Sequence, residues 1–138
     1  MEDQKASGFS EQSHTADWAL RVWAPDFYGL LCEAARGMYT LMGVEAATSP
    51  METRSIAVAG DDSESWLVAF LNELLFLLEQ EAMVFIPVSF NVDGRMLSAM
   101  ATGTPLLRVR KEIKAVTYHR LAIQCTPDRQ EVTIVFDV

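Results

Sequence analysis

The sequence predicts an α+β fold, a two-layer sandwich with two helices on one face of a mixed, mostly antiparallel sheet. Three observations carry this. Residues 26–42 and 64–80 repeat apolar side chains at helical spacing, several shorter stretches alternate apolar and polar residues, and Asp93-Gly94 stands between two of them as a hairpin turn does. The 138 residues, half of them apolar and 22% charged, have the composition of a globular domain and not of a disordered chain.

Residues 1–13 are polar and without periodicity, and read as a flexible tail ahead of a single domain over 14–138. From Asp17 to Trp23, Trp18, Leu20 and Val22 alternate with Asp17, Ala19, Arg21 and Trp23, the pattern of a half-buried strand. Asp26 is placed to cap a helix carrying Phe27, Leu30, Leu31, Ala34, Met38 and Leu41 on one stripe, and Gly43 stops it. A short strand over 54–59 follows, then Asp61 with Glu64 as the capping box of a second helix. That helix is apolar nearly all round, so Asn72, Glu73 and Glu79 mark its wet edge. Val84, Ile86, Val88, Phe90 and Val92 alternate in the next strand, where Pro87 signals an edge or a bulge. The return strand from Arg95 to Thr102 is broken by Gly103-Thr104-Pro105. A basic stretch, Arg108, Arg110, Lys111 and Lys114, then leads to a strand from Val116 to Thr126 and a last strand from Glu131 to Val138.

A net charge of −8 and a pI of about 4.6 disfavour a tight grip on nucleic acid, which calls for clustered Lys and Arg. Cys32 and Cys125 stand in no metal spacing and read as buried, reduced thiols. The N-terminus has no signal-peptide pattern and the longest apolar run, Trp66 to Leu71, is far too short for a membrane span, so the expected location is cytoplasmic with no membrane partner. No phosphate-binding glycine loop is present.

Strand parity selects the candidate site. Val132, Ile134, Phe136 and Val138 share the core side of the last strand, which turns Asp137 outward; the same argument turns Asp17 away from Trp18, Leu20 and Val22. If the strand after the basic stretch starts early enough, Lys114 shares its outer side with Val116, Tyr118, Arg120 and Gln124. Two carboxylates and a lysine on one helix-free face would suit a hard cation beside phosphate, although solvated residues at strand ends are the ordinary reading of such aspartates. Ser13, His14 and Asp17 are too close in sequence for a nucleophilic triad. His119 reads as a structural histidine, Glu73 as a residue of a wet helix edge, and Tyr118 as packing.

Four motifs carry a resemblance. His14-Thr15-Ala16-Asp17, Leu71-Asn72-Glu73-Leu74-Leu75-Phe76, Ile113-Lys114-Ala115-Val116-Thr117-Tyr118-His119 and Phe136-Asp137-Val138 resemble, in order, the signatures of the archease family over nearly the whole chain after Ser13. The resemblance implies a protein that is not itself an enzyme but activates an RtcB-type RNA ligase in tRNA splicing or RNA repair. It would promote guanylylation of the ligase's active-site histidine and repeated turnover, meeting RNA and GTP only through the ligase. It also implies a bound divalent cation, usually described as Ca2+, with Mg2+ and Mn2+ as alternatives. Asp17 and Asp137 would be side-chain ligands and Val138 a backbone or terminal oxygen ligand, while Lys114 would be ligase-activating. His14, Glu73 and His119 are motif members to which no role is carried over. The chain departs from the family pattern at 104–111, which is short and lacks an acidic, His-containing loop. Two other functions stay open. One is a small metal-dependent hydrolase or phosphotransferase using Asp17 and Asp137, with Lys114 as phosphate clamp. The other is an RNA-binding chaperone module using Arg108, Arg110, Lys111 and Lys114.

Overall fold

Alternating strands and two amphipathic helices can bury their apolar sides only against one another, and here they do so around one core. The computed structural model describes residues 6–12 and 18–138. In chain order the elements are β1 (Gly8–Gln12), β2 (Trp18–Ala24), α1 (Phe27–Leu41), β3 (Glu45–Ala46), β4 (Glu52–Ala59), α2 (Ser63–Glu81), β5 (Met83–Asp93), β6 (Met96–Arg108), β7 (Ala115–Val116), β8 (Gln124–Thr126) and β9 (Arg129–Asp137). The α+β class holds, with all strand pairs antiparallel and the strands divided between two sheets. The first sheet has the order β1-β2-β9-β7, with β8 also pairing β9; in the second, β6 lies between β4 and β5 and pairs β3.

Both helices pack against both sheets, α1 chiefly on β2, β1 and β5 and α2 on β5, β4 and β7. Leu20, Ile134 and Phe136 of the first sheet, Ile56, Phe85 and Leu97 of the second, and Leu31, Met38, Leu71 and Leu74 of the helices form one buried cluster. Tyr39 of α1 ties the layers together: its buried hydroxyl donates to the Phe85 carbonyl at 3.0 Å and accepts from the Phe85 N–H at 3.3 Å. Burial pushes its ionisation far above the ordinary phenol value of 10.0.

Local chemistry places most boundaries. Asp26 caps α1, accepting from the Gly29 N–H at 2.7 Å. The cap of α2 is Asp62, one residue later than Asp61, because Ser65 and not Glu64 completes the capping box; Asp61 instead pairs with Arg95 at 2.7 Å. Gly94, at φ +60°, takes the first position of the two-residue loop between the paired Asp93 and Met96. The pairing of β5 with β6 shifts register between Pro87 and Ser89, on an edge strand, as Pro87 predicts.

Four expectations are corrected. The stretch read as a loose tail contains β1, which pairs with β2 along its whole length. β6 runs straight through Gly103-Thr104-Pro105: a Cβ at Gly103 would lie 2.4 Å from a ring carbon of Phe85, so glycine here makes room for a cross-strand ring instead of ending the strand. The strand expected from Val116 to Thr126 is two short ones. Thr117 turns both its N–H and its hydroxyl onto the Val135 carbonyl, at 3.1 and 3.0 Å, and the chain leaves the sheet through a turn in which Arg120 has φ +52°. Finally, the cysteines are not buried: both are free thiols, Cys125 is exposed and Cys32 half-buried. Burial and the neighbouring Glu33 raise the Cys32 thiol above its ordinary value of 9.0.

Candidate functional site

The site region is the end of the first sheet where β9 finishes. Trp18, Phe136 and Val116 form one register row across β2, β9 and β7, and the next row pairs Asp137 with Ala115. The Lys114 N–H donates to the Asp137 carbonyl at 2.8 Å, so Lys114 is fixed beside the last turn of pairing. Phe136 is fully buried while Asp137 is exposed, as the parity of this strand requires. The Lys114 side chain is also exposed.

β7 is only two residues long and lies at the sheet edge, so its outward-facing backbone groups need partners. Asn72 of α2 supplies them. Its Oδ1 accepts from the Val116 N–H at 2.9 Å and its Nδ2 donates to the Val116 carbonyl at 3.2 Å, doing for one residue what a neighbouring strand would do. Asn72 therefore does not mark a wet edge. Glu64, on the same helix, accepts from the Ile123 N–H at 3.1 Å and holds the return of the loop after β7. Lys111 places its Nζ 3.6 Å from the centre of the Trp18 ring while its backbone N–H donates to the Met42 carbonyl, pinning the segment between β6 and β7 to the end of α1.

The outer face of this sheet is not bare. Ala19, Trp23 and Val135 are buried there, outside the main core. The guanidinium groups of Arg21 and Arg129 lie 4.9 and 5.2 Å from the Trp23 ring, and both bond Glu131, at 2.8 and 3.0 Å. Hydrogen bonding from Arg21, ahead of that from Arg129, holds the Glu131 carboxyl below its ordinary value of 4.5. Among the described residues of this face, Thr133 and Asp137 of β9 remain exposed.

Of the residues singled out from the sequence, Asp137, Lys114 and Val138 are brought together at the end of β9. Asp17 and His14 lie outside the described residues. Val116 does not share an outer side with Lys114; it is buried opposite Phe136, and Lys114 precedes the strand whose parity was used to place it. Tyr118, His119, Arg120 and Gln124 likewise belong to a turn and to β8, not to one continuous strand. His119 is exposed, and Tyr118 is 60% exposed, so Tyr118 is not a packing residue. Glu73 is half-buried beside Asn72. Arg108 is taken out of the basic stretch by Glu45, at 3.0 Å. The one signal for Asn72 in the sequence was a polar residue in an apolar run; nothing local identified its partner.

The donor chemistry at the end of β9 fits a hard cation. Among the described residues Asp137 makes no side-chain hydrogen bond or ion pair, which leaves its carboxylate oxygens available beside the main-chain oxygen of Val138. No group of three His, Cys, Asp or Glu that could hold a metal ion forms among the described residues.

Fold and site thus define a small α+β protein with an oxygen-donor strand end, in which no described helix is long and apolar enough to cross a membrane. Comparison with known proteins narrows this class. The family model described as "Archease protein family (MTH1598/TM1083)" matches residues 9–138, and the chain belongs to the archease family. It is similar to the protein archease of Methanopyrus kandleri, 33% identical over 140 residues that cover 94% of this chain and 99% of that protein. It is also similar to that of Thermococcus kodakarensis, 32% identical over 123 residues that cover 83% and 87%. The solution structure of Methanobacterium thermoautotrophicum protein 1598 superposes with a TM-score of 0.71 at 25% identity, covering 95% of this chain and 99% of that one. The crystal structure of a Thermotoga maritima archease, titled a possible chaperone, shares the fold with a TM-score of 0.66 at 23% identity, covering 92% and 94%.

Proposed function

We propose that this chain is a cytoplasmic, metal-binding protein cofactor, not itself an enzyme, that activates an RtcB-type RNA ligase by promoting its guanylylation and repeated turnover. The observation that carries the reading is the end of β9, where the Asp137 carboxylate, without a side-chain partner among the described residues, and the exposed Lys114 are held side by side by the Lys114 N–H bond to the Asp137 carbonyl, in a chain of the archease family. Asp137, a main-chain oxygen of Val138 and Asp17 would hold a divalent cation, Ca2+ in the first instance. Such a cation, when bound, supplies positive charge that can organise phosphate oxygens.

The chain's own contribution is positional. Asn72 keeps β7 on β9, and that pairing sets Lys114 against Asp137. An ammonium on a short pinned segment presents its charge with less conformational freedom than one on a loose loop, so it meets an anionic partner group at lower entropic cost. His119 and Glu73 stand close in sequence to these anchors, and the reading assigns them no chemical step.

The test is a guanylylation time course of purified ligase with GTP and a divalent cation, in the presence and absence of this chain. Wild type is expected to speed guanylylation; Lys114→Ala and Asp137→Asn, with unchanged thermal unfolding in chelator, are expected not to. A ligase that behaves identically with and without the wild-type chain ends this reading.

A further inference from the structure

The chain has 11 Lys and Arg against 19 Asp and Glu, so carboxylates are in excess wherever a cation looks for one. Lys5 lies outside the described residues. Of the rest, Arg21, Arg36, Arg54, Arg95, Arg108 and Arg129 are each ion-paired to a carboxylate. The cations without a carboxylate partner among the described residues are Arg110, Lys111, Lys114 and Arg120, all exposed and all within one segment of the chain. Among the described residues, the cations outside this segment are paired with carboxylates and those within it are not, which concentrates unneutralised positive charge here.

The segment's path spreads these charges along an edge. The Arg110 and Lys111 N–H groups bond Met42 at the end of α1, Lys111 lies over Trp18 of β2, Lys114 is fixed to Asp137 of β9, and Arg120 follows β7 in the turn closed by the Leu121 N–H on the Tyr118 carbonyl. From β2 to β7 is two strand spacings, about 10 Å. Cations anchored this far apart on the backbone can meet successive phosphates of a strand. Within the same turn Tyr118 exposes 60% of its surface, and it takes part in none of the ring pairs of the described aromatic residues. An exposed aromatic ring among unpaired cations is the combination that holds single-stranded nucleic acid, cations following the backbone and the ring stacking on a base.

We infer that the edge from Arg110 to Arg120 binds single-stranded RNA directly, Arg110, Lys114 and Arg120 facing phosphates and Tyr118 stacking on a base. This contact goes beyond the ligase reading and needs neither ligase nor metal. It also revises the expectation from overall charge: −8 is the sum over the chain, whereas a strand lying on this edge meets four cations against the carboxylate of Glu112 within the segment and that of Asp137 beside Lys114, with Glu131 near Arg120 already held by Arg21 and Arg129. Repulsion from the rest of the molecule keeps the affinity in the range of weak sequence-independent binding, with a dissociation constant of about 10⁻⁴ to 10⁻⁵ M.

The test is fluorescence anisotropy of a labelled oligouridylate titrated with the full chain at several salt concentrations. Neutralising about three phosphates on a single strand predicts that tenfold more salt weakens binding about a hundredfold. Arg110→Gln/Lys114→Gln/Arg120→Gln is expected to abolish measurable binding, Tyr118→Ala to weaken it about tenfold, and Arg108→Gln, which removes an ion-paired cation, to change it little. All five positions are exposed, and unchanged thermal unfolding checks each fold. Inorganic polyphosphate serves as the ligand without bases. If it binds as tightly as the oligouridylate and Tyr118→Ala weakens neither, the edge is a bare anion site and the RNA assignment falls. Absence of saturable oligouridylate binding at low salt, or wild-type binding by the triple variant, also overturns it.

Discussion

Replacing Asn72 by Leu is the perturbation that probes the site's scaffold most directly. The side chain makes two hydrogen bonds to Val116, at 2.9 and 3.2 Å, and Val116 is buried, so water cannot replace them without opening the edge. Each lost bond forfeits about 1 kcal/mol, and each buried group left without a partner costs about 1–3 kcal/mol. Counting only the two groups left without partners, the total is about 2–6 kcal/mol, capped by the cost of letting β7 detach locally. Native-state amide exchange reads this residue by residue. The Val116 amide is expected to exchange at least about thirtyfold faster, the equivalent of about 2 kcal/mol. The Lys114 and Thr117 amides, which bond Asp137 and Val135, are expected to follow it, while amides of β4 stay protected. Asn72→Asp keeps the acceptor and loses the donor, so its effect should fall between wild type and Asn72→Leu. Under the proposed function, Asn72→Leu should also slow ligase guanylylation although Lys114 and Asp137 are intact. Unchanged exchange at Val116 and Lys114 in Asn72→Leu would refute the claim that this amide holds the edge strand.

Three further outcomes are expected. Tyr39→Phe removes the hydroxyl bonded to both Phe85 backbone groups and should lower stability by about 1–3 kcal/mol in urea unfolding with an unchanged denaturant slope. Gly103→Ala sets a methyl 2.4–2.8 Å from three ring atoms of the fully buried Phe85, whose ring also lies 4.7 Å from the Arg54 guanidinium; a loss of about 1–3 kcal/mol should appear as a lower melting temperature. For Glu131 the folded carboxyl lies below its ordinary value of 4.5, so its stabilising contribution is present above that pH and is lost as pH falls through the depressed value. Because the side chain is 35% exposed, the contribution is about 1 kcal/mol. Glu131→Gln should therefore be less stable than wild type at neutral pH, and the difference should shrink below about pH 4.5 in acid-unfolding curves.

How much of this was legible in the sequence depends on the range of the interaction. Asp26 and the stripe from Phe27 to Leu41 announce α1 because a cap and an amphipathic face are made by near neighbours. Gly94 announces the hairpin for the same reason, and Pro87 the bulge. Gly103-Thr104-Pro105 misled because the reason for the glycine, the Phe85 ring, is on another strand. The parity argument placed Asp137 correctly, since β9 is continuous up to that residue. It failed for Lys114, Tyr118 and Arg120, because parity propagates only through an unbroken strand and this one ends at Val116.

The sequence by itself determined the α+β class, both helices, the family motifs and the outward turn of Asp137, each set by spacing within one element. Only the tertiary structure decided that the strands divide into two sheets and that Asn72 completes the edge of β7. It alone, too, identified which cations carboxylates neutralise and which four remain among the described residues. Those outcomes depend on hydrogen bonds and ion pairs between residues remote along the chain, Asn72 with Val116 and Arg108 with Glu45 among them, and periodicity holds no record of such distances.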